Sequence, residues 1–223
     1  MNPARGPIPP TGKIGSRPRR LASNGMKKNR CSWAEGNPQM ETYHDKEWGR
    51  PCFDDRKLFE FFLLDTFQAG LSWEIILHKR NNFKKAFSNF NLAEIARYKR
   101  GEQNRLLGDS GIIRNKRKIR AAIINAQKVL DIQKEYGSFA KYLWSFTNGK
   151  TLDAKPKRLK DIPTTSKEAE AMSRDMRARG FAFVGPTTIY AFLQGIGMVN
   201  DHLVSCFTRR SLGEGGQDPQ DHK

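Results

Sequence analysis

The apolar residues of this chain recur at helical spacing through most of its length, and the two-residue alternation of a strand is nearly absent. Lys57-Leu58-Phe59-Glu60-Phe61-Phe62-Leu63-Leu64 is the clearest case, with Asp54 or Asp55 placed to cap it. Further helices are expected at about 71–87, 92–98, 102–109, 115–135, 138–146, 166–178 and 186–196. Gly101, Gly111, Gly137, Gly149 and Pro163 punctuate them. The pattern predicts an all-α fold. A length of 223 residues allows one domain with tails. Five of the eleven prolines fall in residues 1–18, so 1–25 reads as a disordered basic tail. Residues 211–223 read as a flexible C-terminal tail, leaving 26–210 as the domain, with Met26 a candidate start.

Composition narrows the partners. Forty Lys and Arg against 23 Asp and Glu give a net charge of +17. The first tail carries +5 and the last −2, so +14 belongs to residues 26–210. A body of that sign suits a polyanion, most simply nucleic acid, unless it is only a solvated basic surface. No stretch approaches the roughly 18 apolar residues of a membrane span, and no secretory signal opens the chain. Three cysteines make a disulfide scaffold a poor expectation. The expectation is therefore a cytoplasmic protein with no membrane partner, and nothing calls for more than a monomer.

Two groups of residues carry chemistry. Cys31 and His44 stand near one end of the domain, with His202 and Cys206 near the other. His202 and Cys206 are at i, i+4, which on a helix turns both side chains to one face. The four form a Cys₂His₂ set, the closed shell of structural zinc, although ordinary buried cysteines and hydrogen-bonded histidines fit the spacing too. No His-Glu-x-x-His supports a hydrolytic metal. Cys52, His78 and His222 have no evident partners.

The second group is aromatic and acidic. Trp33, Tyr43, Trp48 and Trp73 lie in short segments that surround Asp65 in sequence. Lys57, Glu60 and Gln68 mark the polar arc of their helix, and Asp65 falls outside it, between Leu58, Phe61 and Phe62. A carboxylate there is hydrogen-bonded, paired, or raised in pKa, or else it snorkels out. Aromatic faces with one carboxylate suit a flat cationic ring such as an alkylated nucleobase, and they also suit plain core.

Gly180 to Thr188 leads into the apolar helix at 186–196. Such a glycine-bearing turn exposes backbone N–H groups to a phosphate. Arg174, Arg177 and Arg179 precede it, and Arg114-Asn-Lys116-Arg117-Lys118-Ile-Arg120 opens another helix after Gly111. Together the two basic, glycine-led starts point to a clamp on a DNA backbone.

Cys31-Ser-Trp33, Tyr43-His44-Asp45-Lys46-Glu47-Trp48-Gly49, Gln68-Ala-Gly-Leu-Ser-Trp73, Gly111-Ile-Ile-Arg114, Leu143-Trp144-Ser-Phe146 and the run from Gly180 to His202 resemble DNA-3-methyladenine glycosylase I in order and spacing, across about residues 30–208. The resemblance implies a helix-hairpin-helix DNA glycosylase fold. It also implies base-excision repair: monofunctional hydrolysis of the N-glycosidic bond of 3-methyladenine in alkylated double-stranded DNA. It places structural Zn²⁺ on Cys31, His44, His202 and Cys206. An extruded base would stack on Trp73 and meet Tyr43, with Trp33 and Trp48 shaping the walls, while Gly180, Gly185, Thr187 and Thr188 would hold the backbone. The family's pocket carboxylate is usually glutamate, and this chain has Asp65 there; a tyrosine expected near position 40 is Met40. The shorter acid leaves altered lesion preference and a non-catalytic damage-binding protein as alternatives. Asp201 is expected to be structural. A cytoplasmic, nucleoid-associated location follows from such a role.

Overall fold

The computed structural model of the protein describes residues 29–209; the expected tails at 1–25 and 211–223, Met26 and His222 lie outside the described residues. Nine α-helices are found there: α1 (Pro38–Lys46), α2 (Asp55–Gln68), α3 (Trp73–Ala86), α4 (Leu92–Ile95), α5 (Arg100–Gly108), α6 (Lys116–Tyr136), α7 (Phe139–Ser145), α8 (Lys167–Ala178) and α9 (Pro186–Gly195). Eight of them stand where the apolar spacing puts them. The addition is α1, whose short polar sequence has no apolar stripe; Asn37 accepts from the amides of Gln39 and Met40, and Pro38 occupies its first position.

Helix starts follow ordinary capping chemistry. Asp54 accepts from the Lys57 amide at 2.7 Å and begins α2. Asp55 serves a different helix: its carboxylate accepts from the amides of Phe139 and Ala140 at 2.8 and 2.9 Å, at the head of α7, and from Gln133 at 2.6 Å. Ser72, Asn115, Ser138 and Ser166 cap α3, α6, α7 and α8.

Helix α2 is the centre of the molecule, packing against α3, α6, α7 and α9. Leu58, Phe59, Phe62, Leu64 and Phe67 are fully buried along it, so it is apolar nearly all round, as a helix surrounded by others must be. Phe62 meets Phe139, Phe181 and Phe192, and Phe67 meets Phe83 and Phe87.

After α9 the chain forms β2 (Val199–Asn200), which pairs in parallel with β1 (Leu152–Asp153). This two-residue pair is too short to alter the helical class. Gly197, at φ +74°, precedes it; a Cβ there would overlap the backbone of Arg50 and Pro51. The amides of Gly49 and Cys52 donate to the carbonyls of Gln194 and Ile196. The segment after α1 is thus laid along the end of α9, and the two ends of the domain meet. No helix among the described residues is long and apolar enough to cross a membrane.

Candidate active site and metal centre

Cys31, His44, His202 and Cys206 are all buried, and their ligand atoms lie within 4.8 Å of one another. Sγ of Cys206 is 3.5 Å from Nε2 of His44 and 3.6 Å from Nδ1 of His202, and Sγ of Cys31 is 3.8 Å from that Nδ1. A tetrahedral ion with bonds of about 2.3 Å to sulfur and about 2.0–2.1 Å to nitrogen separates the donors by about 3.6 Å, so the cluster fits a metal of that geometry. The free nitrogens are fixed as a metal site requires. His44 Nδ1 is 2.9 Å from Asp45 Oδ1, and His202 Nε2 is 3.1 Å from the Trp48 carbonyl. Arg30 in turn grips both oxygens of Asp45 at 2.8 to 3.1 Å. The contact with Cys31 pulls the Cys206 thiol toward thiolate; burial opposes this, and His202 and His44 add to the pull.

One expectation changes here. His202 and Cys206 do not share a helix; His202 is extended beyond β2, and Cys206 follows a turn closed by its amide on the Leu203 carbonyl at 2.8 Å. They converge by a turn rather than by helical periodicity. Trp33 and Trp48 pack on the histidines: Trp33 lies 5.4 Å from His44 and 5.0 Å from Trp48, and Trp48 lies 4.6 Å from His202, centroid to centroid. Among the described ring pairs neither meets Tyr43 or Trp73.

Tyr43 is the neighbour of His44 on α1 and joins the metal cluster to the aromatic group. Its ring is 5.2 Å from Trp73, at the first position of α3, and 6.4 Å from Phe61 on α2. Tyr43 is buried, as is Asp65 on the last turn of α2 at 5% exposure. The Asp65 carboxyl makes no hydrogen bond among the described residues, and burial pushes its pKa well above the ordinary carboxylate range. Tyr43 is raised by its own burial and then by the charge of Asp65. The Trp73 indole N–H is buried with no partner. Three polar groups without internal partners, on α1, α2 and α3, therefore gather at aromatic faces. Buried groups of that kind are costly, and a ligand that pairs them recovers the cost.

The cluster around Arg80 is paired within itself. Arg80 binds Glu60 at 2.6 Å and both oxygens of Glu47 at 2.8 Å, and Lys57 completes the set at 3.0 and 3.1 Å. Together with Arg56 and Lys84 they line an open cleft of about 660 Å³, whose two acids Glu47 and Glu60 are already paired. Asp201 accepts from Tyr190 at 2.6 Å and Gln194 at 2.7 Å, which ties it to α9.

The turn from Gly180 to Thr188 joins α8 to α9. Gly180 is at φ +87°, and Gly185 precedes α9 with no side-chain cap on the opening amides. Thr187 is exposed and Thr188 half-buried at that helix start. Asn125 of α6 exchanges two hydrogen bonds with the backbone of Ala182, and Ser173 donates to the Val184 carbonyl at 2.6 Å, so the turn is held rigidly. Its basic neighbours divide: Arg174 and Arg177 are exposed, whereas Arg179 is taken by Glu135, Asp175 and Tyr136. In the second basic run Arg114, Lys116, Arg117 and Arg120 are exposed, but Lys118 turns inward. No sequence signal separated it from its neighbours except its helical phase with Ile119, Ala122 and Ala126.

Comparison with known proteins places the chain in a family. The family model for methyladenine glycosylases matches residues 33–209. DNA-3-methyladenine glycosylase 1 of Escherichia coli (strain K12) is 41% identical over 177 residues, covering 79% of this chain and 95% of that protein. A crystal structure of a 3-methyladenine DNA glycosylase I superposes with a TM-score of 0.78 at 42% identity, over 80% of this chain and 98% of that one. A variant of such an enzyme solved in complex with 3-methyladenine gives 0.78 at 34% identity, over 81% and 97%.

Proposed function

The chain belongs to the methyladenine glycosylase family, and we propose that it is a DNA-3-methyladenine glycosylase that removes the alkylated base from double-stranded DNA. The observation that carries the reading is the gathering of Asp65, Tyr43 and the Trp73 indole N–H, all without internal partners, beside aromatic faces. A relative solved with 3-methyladenine bound supports it.

The geometry performs the reaction as follows. The lesion is extruded from the duplex, which costs a few kcal/mol of unpairing and unstacking. Stacking on Trp73 beside Tyr43 returns about 1–3 kcal/mol of that. Asp65 accepts hydrogen bonds from the adenine edge, and the indole N–H donates to a ring nitrogen. N3-methylation makes the base cationic in the nucleotide, and a cation beside Asp65 lowers the raised pKa again, so the ionised carboxylate and the π faces favour it over unmodified adenine. That positive charge also makes the base a good leaving group, and water attacks C1′ of an oxocarbenium-like sugar. Among the described residues no lysine joins Asp65, Tyr43 and Trp73 at the slot, in keeping with base release without strand cleavage. The turn at Gly180, Gly185, Thr187 and Thr188 presents the uncapped amides of α9 to a phosphate in the manner of a helix-hairpin-helix, and the basic charge of the domain steers DNA toward it.

Cys31, His44, His202 and Cys206 hold Zn²⁺ in this reading. The ion supplies a structural closure and no step of the chemistry. Trp33 and Trp48 pack on its histidines and brace the metal site rather than the base slot. The protein acts as a monomer in the cytoplasm.

Single-turnover release of 3-methyladenine from methylated duplex DNA tests the proposal. Release by the wild type, with Asp65→Asn strongly slowed, is expected. Damage-specific binding with no release by either protein would make this a binding module. Release of a different alkylated base alone would assign Asp65 another lesion.

A further inference from the structure

Lys118 is the only lysine buried among the described residues. It occupies the first turn of α6 beside Lys116 and Arg117, where a cation opposes the dipole of its own helix. Burial also drives its pKa down. Both effects disfavour an ammonium at this position, yet the side chain turns inward and binds two carbonyls, Phe67 at 2.8 Å and Ala69 at 2.6 Å. Those carbonyls close the C-terminus of α2, where a cation is favoured.

What lies on either side of them gives the contact its meaning. The Ala69 amide donates to the Asp65 carbonyl at 3.2 Å, in the turn that carries the unpartnered carboxyl. Beyond Ala69 the chain folds tightly, with Leu71 N–H on the Gln68 carbonyl at 2.6 Å and the Gln68 side chain on the Leu71 carbonyl at 2.9 Å. Ser72 then caps α3, and Trp73 is its first residue. The nine-residue path from Asp65 to Trp73 is thus held midway from a third helix. We propose that Lys118 is a positioning residue for base recognition: its two hydrogen bonds set the separation of the Asp65 carboxyl and the Trp73 indole, and hence the width of the slot. The inference rests on the base-slot reading above and adds a residue that touches no ligand.

The experiment is a titration of the full chain with free 3-methyladenine, followed by tryptophan fluorescence. It is run beside thermal melts and single-turnover base release on wild type, Lys118→Met, Lys118→Arg and Tyr142→Phe. Lys118→Met keeps the stem and removes both donors; base affinity is expected to fall about tenfold or more, with release slowed, and Lys118→Arg to restore part of it. Tyr142→Phe removes a 2.7 Å bond to Asp175 remote from the slot and should leave affinity unchanged for a comparable loss of melting temperature. A Lys118→Met protein that binds the base like wild type, whatever its melting temperature, overturns the positioning role alone. A wild type that binds no base overturns the slot itself and this inference with it. Should Lys118→Met fail to fold, Lys118→Gln, which cannot reach both carbonyls, carries the same expectation and the same refutation.

Discussion

Asp65→Asn should stabilise the folded protein while disabling it, and the stabilisation should depend on pH in one direction. The Asp65 carboxyl is buried without a hydrogen bond, and burial holds its folded pKa above the unfolded one. Between those two values the unfolded chain has released the proton and the folded chain still carries it. Stability therefore falls as pH rises through that window, by about 1.4 kcal/mol per pH unit, and levels off above the folded pKa. Below the unfolded pKa the carboxyl is neutral in both states and contributes no such loss. Asparagine does not titrate, so the variant escapes the decline. For a domain of this size 1 kcal/mol corresponds to about 2–4 °C in melting temperature. Differential scanning of both proteins in steps from pH 4 to pH 8 should show melting curves that coincide at the acid end and separate in favour of Asp65→Asn toward neutrality. Protonation of the Cys and His cluster affects both proteins alike and cancels in the difference. A difference that stays constant with pH, or that favours wild type increasingly as pH rises, would refute the argument that this carboxyl is desolvated and unpaired.

Three further outcomes follow from other contacts. Cys206→Ala removes one of four buried donors, so bound metal, measured by elemental analysis after gel filtration, should fall well below one per chain, with a lower melting temperature. Asp45→Ala leaves the four donors but frees the His44 ring, and competition with a chelator should show metal affinity weakened about 10–100-fold. Asp55→Ala withdraws the acceptor from two amides at the head of α7 and from Gln133; denaturant unfolding should show a loss of about 1–3 kcal/mol, with base release retained.

The helical class was legible because apolar residues recur on one face of each long helix and glycine or serine marks the joints. Helix α1 was not, since its only wholly buried residues, Tyr43 and His44, serve the site rather than a continuous apolar stripe; the Asn37-Pro38 start was the available signal. Asp65 could be read as misplaced from its helical phase alone, but nothing local shows whether such an acid snorkels or stays dry. That depends on α1 and α3 closing over it. The convergence of His202 and Cys206 was read from the right spacing and the wrong local structure: a turn brings them together. Lys118 lay hidden in a run of like charges. Its helical phase with Ile119 and Ala122 is the one local sign of its direction, and the carbonyls at the end of α2 that receive it come from far along the chain.

The four metal-binding side chains arrive at very different times. Synthesis at about 5–20 residues per second separates Cys31 from His202 by roughly 10–30 s, during which the first thiol and imidazole have no companions. Gly197, packed against the backbone of Arg50 and Pro51, brings the late pair back to the early one. An ion held by all four, as proposed, would be captured late in the life of each molecule, and a polypeptide broken off before Cys206 would lack the fourth donor.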